Sequence, residues 1–244
     1  MRVLIGIDDT DNLESRGTGY RARRLGAWLM ASGLARLKGI TRHQLLVDAA
    51  IPYTSHNSSA CLQVITESRL VDELVRSCRD YLRRESAAGA DAGLCLVQED
   101  RVGPILQDFG RQAQTRVLDR SAALQLAEDE EILLEGLTGD GGGIIGALAA
   151  VGLRATGNDG RFIWLPRLRE LQGVYTAGQL LSTTGIEEIA TLHGIRPPDT
   201  ARIDLGSWAR PILRGGKAVL LVEEVEDDAA GEWRVVPKEV IKQY

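Results

Sequence analysis

Short apolar runs rich in β-branched residues alternate, along the first half of the chain, with longer stretches whose apolar positions recur every three or four residues. Residues 2–7 form an apolar run cut off by acids, which predicts a buried strand. Residues 18–34 place Leu25, Trp28, Leu29 and Leu34 on one stripe, the pattern of an amphipathic helix whose exposed start carries Arg21, Arg23 and Arg24. Strands are expected over 44–51, closed by Pro52, and over 60–66. A helix over 69–84 buries Leu70, Leu74, Val75, Cys78 and Leu82, and a strand over 93–97 follows. Helices are expected over 105–118 and 121–126, then a strand over 131–137, a helix over 144–151 and a strand over 161–165. This order predicts an α+β fold, with helices packed on one face of a mostly antiparallel or mixed sheet.

Composition shifts after Pro166, so the pattern predicts a larger region over 1–166 and a smaller C-terminal α+β region over 167–244. In the latter, 177–181 and 186–193 are expected as helices. Residues 218–225 and 233–236 are expected as a hairpin around Asp227-Asp228-Ala229-Ala230-Gly231. No internal repeat or low-complexity stretch interrupts the chain.

The 244 residues are 44% hydrophobic and 26% charged, with a net charge of -5, the balance of a soluble globular protein large enough for a proper core. A general nucleic-acid binder carries a basic surplus, which is missing here globally. Cys61, Cys78 and Cys95 lie far apart in apolar contexts and form no Cys-x-x-Cys pair, which argues against structural zinc and for buried free thiols in a reducing cytosol. No apolar run is long enough to span a bilayer, and the N-terminus meets acids too soon for a signal peptide, so the expected location is cytoplasmic with no membrane partner.

Candidate chemistry concentrates at the first strand end. Asp8, Asp9 and Asp11 place three carboxylates within four residues, an arrangement that is costly unless a cation neutralises it. Magnesium binds through one or two carboxylates plus substrate phosphates, and suits this turn better than zinc does. Gly17-Thr18-Gly19 adds a hydroxyl and exposed amides at a helix start, where anions are favoured. A solvated acidic turn, with Asp11 or Thr18 serving only as a helix cap, explains the same residues more simply. Gly139-Asp140-Gly141-Gly142-Gly143 also joins a strand to a helix. It lacks the Gly-Lys-Ser/Thr ending of a Walker loop and the distant acid of a dinucleotide fingerprint. The amides of Gly141, Gly142 and Gly143 are candidates for a second set of phosphate contacts, and a flexible turn before a tightly packed helix explains them equally well. Thr54-Ser55-His56-Asn57-Ser58-Ser59 is a polar inter-strand segment in which His56 or Asn57 is a candidate to orient an acceptor. No Gly-x-Ser-x-Gly elbow announces a Ser-His-Asp triad.

Four blocks, in order, resemble one family. Gly6-Ile7-Asp8-Asp9-Thr10-Asp11 is similar to the opening motif of the archaeal tRNA agmatinylcytidine synthetases. Ile51-Pro52-Tyr53 with Ala60, the segment from Gly143 to Gly152, and Pro211-Ile212-Leu213-Arg214-Gly215 match later blocks. The resemblance implies a kinase-like domain with a ferredoxin-like domain. It implies that ATP activates a cytidine carbonyl by phosphorylation before agmatine displaces the phosphate. It also implies that Asp8, Asp9 and Asp11 are the catalytic metal-binding acids and that Thr18 accepts phosphate. The sequence is expected to lack the family's OB-fold and zinc ribbon, and the basic side chains of the family's loop are replaced at Thr54 to Ser58. With the acidic charge, this weighs against tRNA as a partner without removing it. The sequence thus predicts an ATP- and magnesium-dependent phosphotransferase or ligase-like enzyme acting on an unidentified small acceptor. A nucleotide-binding regulatory module without turnover is the alternative.

Overall fold

The computed structural model describes residues 1–51, 57–225 and 233–244. The chain divides into two compact units, Met1–Thr156 and Gly157–Tyr244. In the first, β1 (Arg2–Asp8), α1 (Thr18–Ala31), β2 (Arg36–Gln44), β3 (Ser58–Ile65), α2 (Val71–Glu85) and β4 (Gly93–Gln98) are followed by α3 (Pro104–Ala113), α4 (Arg120–Asp129), β5 (Leu133–Gly136) and α5 (Ile144–Ala155). Its strands run in the order β5-β4-β1-β3-β2, and every neighbouring pair is antiparallel.

The α+β class stands, but helices cover both faces of this sheet rather than one. The reason lies in the strands, whose successive side chains point to opposite faces and are buried on both. Along β3, Leu62 faces Gly26 of α1, while its neighbour Cys61 joins the cluster built on Ala147, Leu148 and Val151 of α5. Helix α5 is buried almost all round, from Gly146 to Arg154, because it lies between the sheet and α3. Small residues allow this depth. A Cβ on Gly6 of β1 would overlap the carbonyl oxygen of Ala147, and one on Gly152 would overlap that of Leu106 in α3.

The strand expected over 44–51 is instead β2 at Arg36–Gln44. Its buried positions include Thr41 and His43, both fully buried and hydrogen-bonded to each other at 2.8 Å, so its inner face reads as polar. Residues 45–51 leave the ladder: Leu45 N–H donates to the Asn57 carbonyl at 2.9 Å and Leu46 N–H to that of Ala113 at 3.0 Å. Helix α1 stops at Ala31 and α3 at Ala113, short of the expected 34 and 118. Cys61, Cys78 and Cys95 are buried free thiols, as expected, and burial pushes the first two up to about 12.

The second unit contains β6 (Arg161–Trp164), β7 (Val174–Thr176), α6 (Ala177–Thr183), β8 (Glu188–Ala190), β9 (Arg202–Asp204), β10 (Ile212–Arg214), β11 (Lys217–Glu224), β12 (Trp233–Val235) and α7 (Lys238–Ile241). Residues 188–190, expected within a helix, form β8 and pair in parallel with β11. A three-residue strand shows no period of its own, and long-range pairing decides its state. The expected hairpin strands do pair, Glu224 with Trp233 and Val222 with Val235; the turn expected at 227–231 lies outside the described residues. Among the described residues, no helix is long and apolar enough to cross a membrane.

Gly6→Ala tests the close approach of α5. The added methyl has no room against backbone, and the cost expected for such overpacking is about 3 kcal/mol. Urea unfolding with wild-type stability would show that α5 can draw back.

Candidate functional site

The end of β1, the start of α1 and the glycine turn before α5 meet around one cavity of about 290 Å³. Asp8, Asp9, Asp11, Thr18, Asn57, Gly142 and Gly143 line it, so most of the predicted site residues converge although they span more than a hundred positions of sequence. Gly141 lines a neighbouring cavity with Arg120 and Thr138. Gly17 and Gly19 flank Thr18, and neither is among the described lining residues. His56 lies outside the described residues.

Asp8 is the last residue of β1 and sits under α5, where a Cβ on Gly146 would collide with its carboxylate. Burial pushes it up to about 7, helped by the charges of Asp9 and Asp11 and opposed by a hydrogen bond from the Asp9 backbone. Asp9 takes a left-handed backbone conformation with φ 48°, which aspartate tolerates better than most residues. Burial also pushes its carboxyl up, to about 6, with the charges of Asp91, Asp11 and Asp140 adding to the effect. Both carboxylates are therefore held where negative charge is unfavourable and a cation is welcome.

Asp11 is used differently. Its Oδ1 accepts the Thr18 N–H at 2.9 Å and the Thr18 hydroxyl at 2.7 Å. The cap position of α1 is Gly17, which brings no side-chain bond; Asp11 satisfies the first-turn amide from outside the helix. Thr18 is thus not the cap. It is buried, and its oxygen also accepts from the Thr10 N–H at 3.3 Å and the Thr10 hydroxyl at 3.2 Å. The Thr18 hydroxyl thus donates to one carboxylate and accepts from Thr10.

The glycine turn is held by internal acceptors. Gly141 N–H donates to the Thr138 carbonyl at 3.1 Å and Gly143 N–H to the Asp91 carbonyl at 2.9 Å. Gly142 N–H donates to Asp140 Oδ1 at 2.8 Å, and Asp140 N–H to Asp91 Oδ1 at 2.6 Å. Asp91 and Asp140 therefore belong to the site, and so do Arg116 and Arg120, which line the same cavity along with the apolar Leu45, Ile51, Val117, Leu118 and Ile145. Sequence reasoning missed these polar residues. Asp91 stands two positions before Gly93, the register partner of Asp8, and that neighbourhood exists only once β1 and β4 are paired.

Among the described residues, no group of three His, Cys, Asp or Glu side chains could by itself hold a metal ion. A pair of crowded carboxylates fits magnesium, which completes its shell with water and phosphate oxygens.

The sequence matches no family model and no curated protein. Solved structures do match. Apo TiaS, a tRNA agmatidine synthetase, superposes with a TM-score of 0.54 and 28% identity over 62% of this chain and 35% of that one. The chain is similar to TiaS over this part of its length. TiaS in complex with an isoleucine tRNA and ATP gives 0.54 and 29% over 62% of this chain and 36% of that one. The complex with the tRNA, AMPCPP and agmatine gives 0.54 and 28% over the same shares. The chain spans about a third of the length of these TiaS chains. The resemblance read from the sequence motifs and the likeness of fold thus point to the same enzymes. The expectation that tRNA is a doubtful partner finds no support in these comparisons, which include TiaS bound to tRNA.

The raised positions of Asp8 and Asp9 set a pH dependence. The folded state holds more protons than the unfolded state between the ordinary carboxylate value of 3.8 and about 7, so stability falls as pH rises through that window. The expected melting temperature is higher at pH 5 than at pH 8, Asp8→Asn flattens the difference, and magnesium stabilises more at pH 8. A wild-type profile that is flat from pH 5 to 8 would contradict the crowding of these acids.

Proposed function

We propose that this chain is an ATP- and magnesium-dependent phosphotransferase or ligase-like enzyme related to the tRNA cytidine-modifying synthetases. The observation that carries the reading is the Thr18 hydroxyl, donating to Asp11 at 2.7 Å beside the crowded Asp8 and Asp9. Support also comes from TiaS, whose solved complexes contain ATP, an isoleucine tRNA and agmatine. The acceptor of this chain is taken to belong to the same class, a tRNA cytidine whose carbonyl oxygen takes the phosphoryl group from Thr18, freeing the threonine, and leaves as inorganic phosphate when a small amine bonds to the carbonyl carbon and gives up its proton.

Asp8 and Asp9 are the residues that hold the magnesium, which when bound neutralises charge on the transferred phosphoryl group. Asp11 takes the proton of Thr18 as the Thr18 oxygen forms its bond to the γ-phosphorus. The bond from that phosphorus to the bridging oxygen breaks, and ADP leaves with the electron pair. Thr10 orients the Thr18 oxygen through its own N–H and hydroxyl. Arg116 and Arg120 attract the polyphosphate, and the apolar side formed by Leu45, Val117 and Leu118 excludes water and takes a flat base.

The test is ATP turnover with magnesium by wild type, Asp8→Asn and Thr18→Ala. The expected loss is about 100-fold or more for Asp8→Asn, the scale of removing one electrostatic stabiliser. For Thr18→Ala, mass spectrometry is expected to show no phosphate on the peptide from Gly17 to Arg21, which the wild type carries after incubation with ATP. Equal turnover by wild type and Asp8→Asn would sink the assignment.

A further inference from the structure

Although the chain is acidic overall, its basic residues are not spread evenly. The outer side of α1 and the facing end of α2 gather arginines around the half-buried Tyr20, whose ring can meet a base, and over Tyr81, which is buried beneath them. The Arg16 guanidinium lies 4.7 Å from the centre of the Tyr20 ring, and that of Arg21 lies 6.0 Å from it. One turn of helix further on, the charges of Arg24 and Arg21 act on Tyr81 of α2, and the Arg84 guanidinium lies 5.9 Å from the Tyr81 ring centre. Tyr81 is itself stacked on Trp28 at 5.6 Å between centroids. Four guanidinium groups are thus held near aromatic rings. Glu85 pairs with two of them, Arg21 at 3.7 Å and Arg84 at 3.0 Å. Such partly exposed pairs contribute little and exchange readily for phosphate.

We infer that this arginine–tyrosine face binds single-stranded RNA and leads it to the acidic cavity. Three features favour a single strand over a generic polyanion. Arginine recognises phosphate with a planar fork and stacks on bases with its flat face. Tyrosine beside arginine is the composition of a stacking platform along a cationic track. The face also ends at the site: Arg16 stands two residues before Thr18, which lines the cavity. From Thr18 to Ala31, α1 rises about 21 Å, the length of several nucleotides. Acidic walls repel the RNA backbone from the cavity itself, so a basic track outside it is what lets one base enter while the phosphates stay out. This inference rests on the reading of an RNA substrate, but not on the phosphoryl chemistry.

The experiment is fluorescence anisotropy of a labelled single-stranded oligoribonucleotide with the full chain, without ATP, over a range of salt. The comparisons are a duplex of equal length and heparin. Arg16→Gln with Arg24→Gln is expected to raise the single-strand Kd about tenfold or more and to reduce the salt slope by roughly 0.7 for each phosphate no longer neutralised. Tyr20→Leu is expected to raise the single-strand Kd at least fivefold and leave heparin binding unchanged. Unchanged melting temperatures establish that these variants fold. Unchanged RNA affinity in the arginine pair, or equal loss of RNA and heparin binding in Tyr20→Leu, overturns the inference. Abolished ATP turnover in Asp8→Asn with intact RNA binding separates the two readings, because it touches only the chemistry.

Discussion

The glycine-close seating of α5 on β1 is the constraint on which the first unit depends. Gly6 admits the Ala147 carbonyl and Gly146 admits the Asp8 carboxylate, so the helix can lie against backbone rather than on side-chain tips. The consequences run outward. The helix is deep enough to need burial on all sides, which brings α3 over it, with Gly152 and Gly110 keeping that crossing tight. The turn before the helix is drawn down beside Asp8 and Asp91. The same seating that makes the core therefore fixes the distance between the acidic turn and the glycine turn, and so the depth of the cavity.

Within the cavity the acids differ in what they face. Asp8 and Asp9 are surrounded by burial and by other carboxylates, and both rise well above their ordinary values. Asp11 faces donors, the N–H and hydroxyl of Thr18. At Asp8 and Asp9 burial outweighs the one backbone hydrogen bond that each accepts, and burial without compensating donors is what raises a carboxyl. One short turn thus holds carboxylates in two kinds of surroundings, with the left-handed Asp9 between them.

Much of this was legible in the sequence, and the exceptions have physical causes. Strand β1, the acids after it and the small-residue helix are local signals, and they stand where the pattern predicts. β2 was displaced because its buried positions include Thr41 and His43, which hide each other's polarity by a hydrogen bond that no periodicity reveals. β8 is held by its parallel partner β11, not by its own three residues. Helices on both faces follow from strands buried on both faces, a property of the assembled sheet. Asp91 and Asp140 escaped notice because the pairing of β1 with β4, and for Asp140 also that of β4 with β5, is what brings them to Asp9.

The glycine turn shows how one sequence feature can serve another end than the one its composition suggests. Three successive glycines read as amides offered to a phosphate. In the structure those amides donate to Thr138, Asp140 and Asp91, and the turn is braced against the strand end rather than open to a ligand. Its effect on an anion is then indirect. By taking Asp140 and Asp91 as acceptors it fixes two carboxylates on the wall facing Asp9, which deepens the negative potential there. The bracing that removes the amides from direct contact thus leaves carboxylates, rather than N–H groups, as the turn's contribution to the cavity wall.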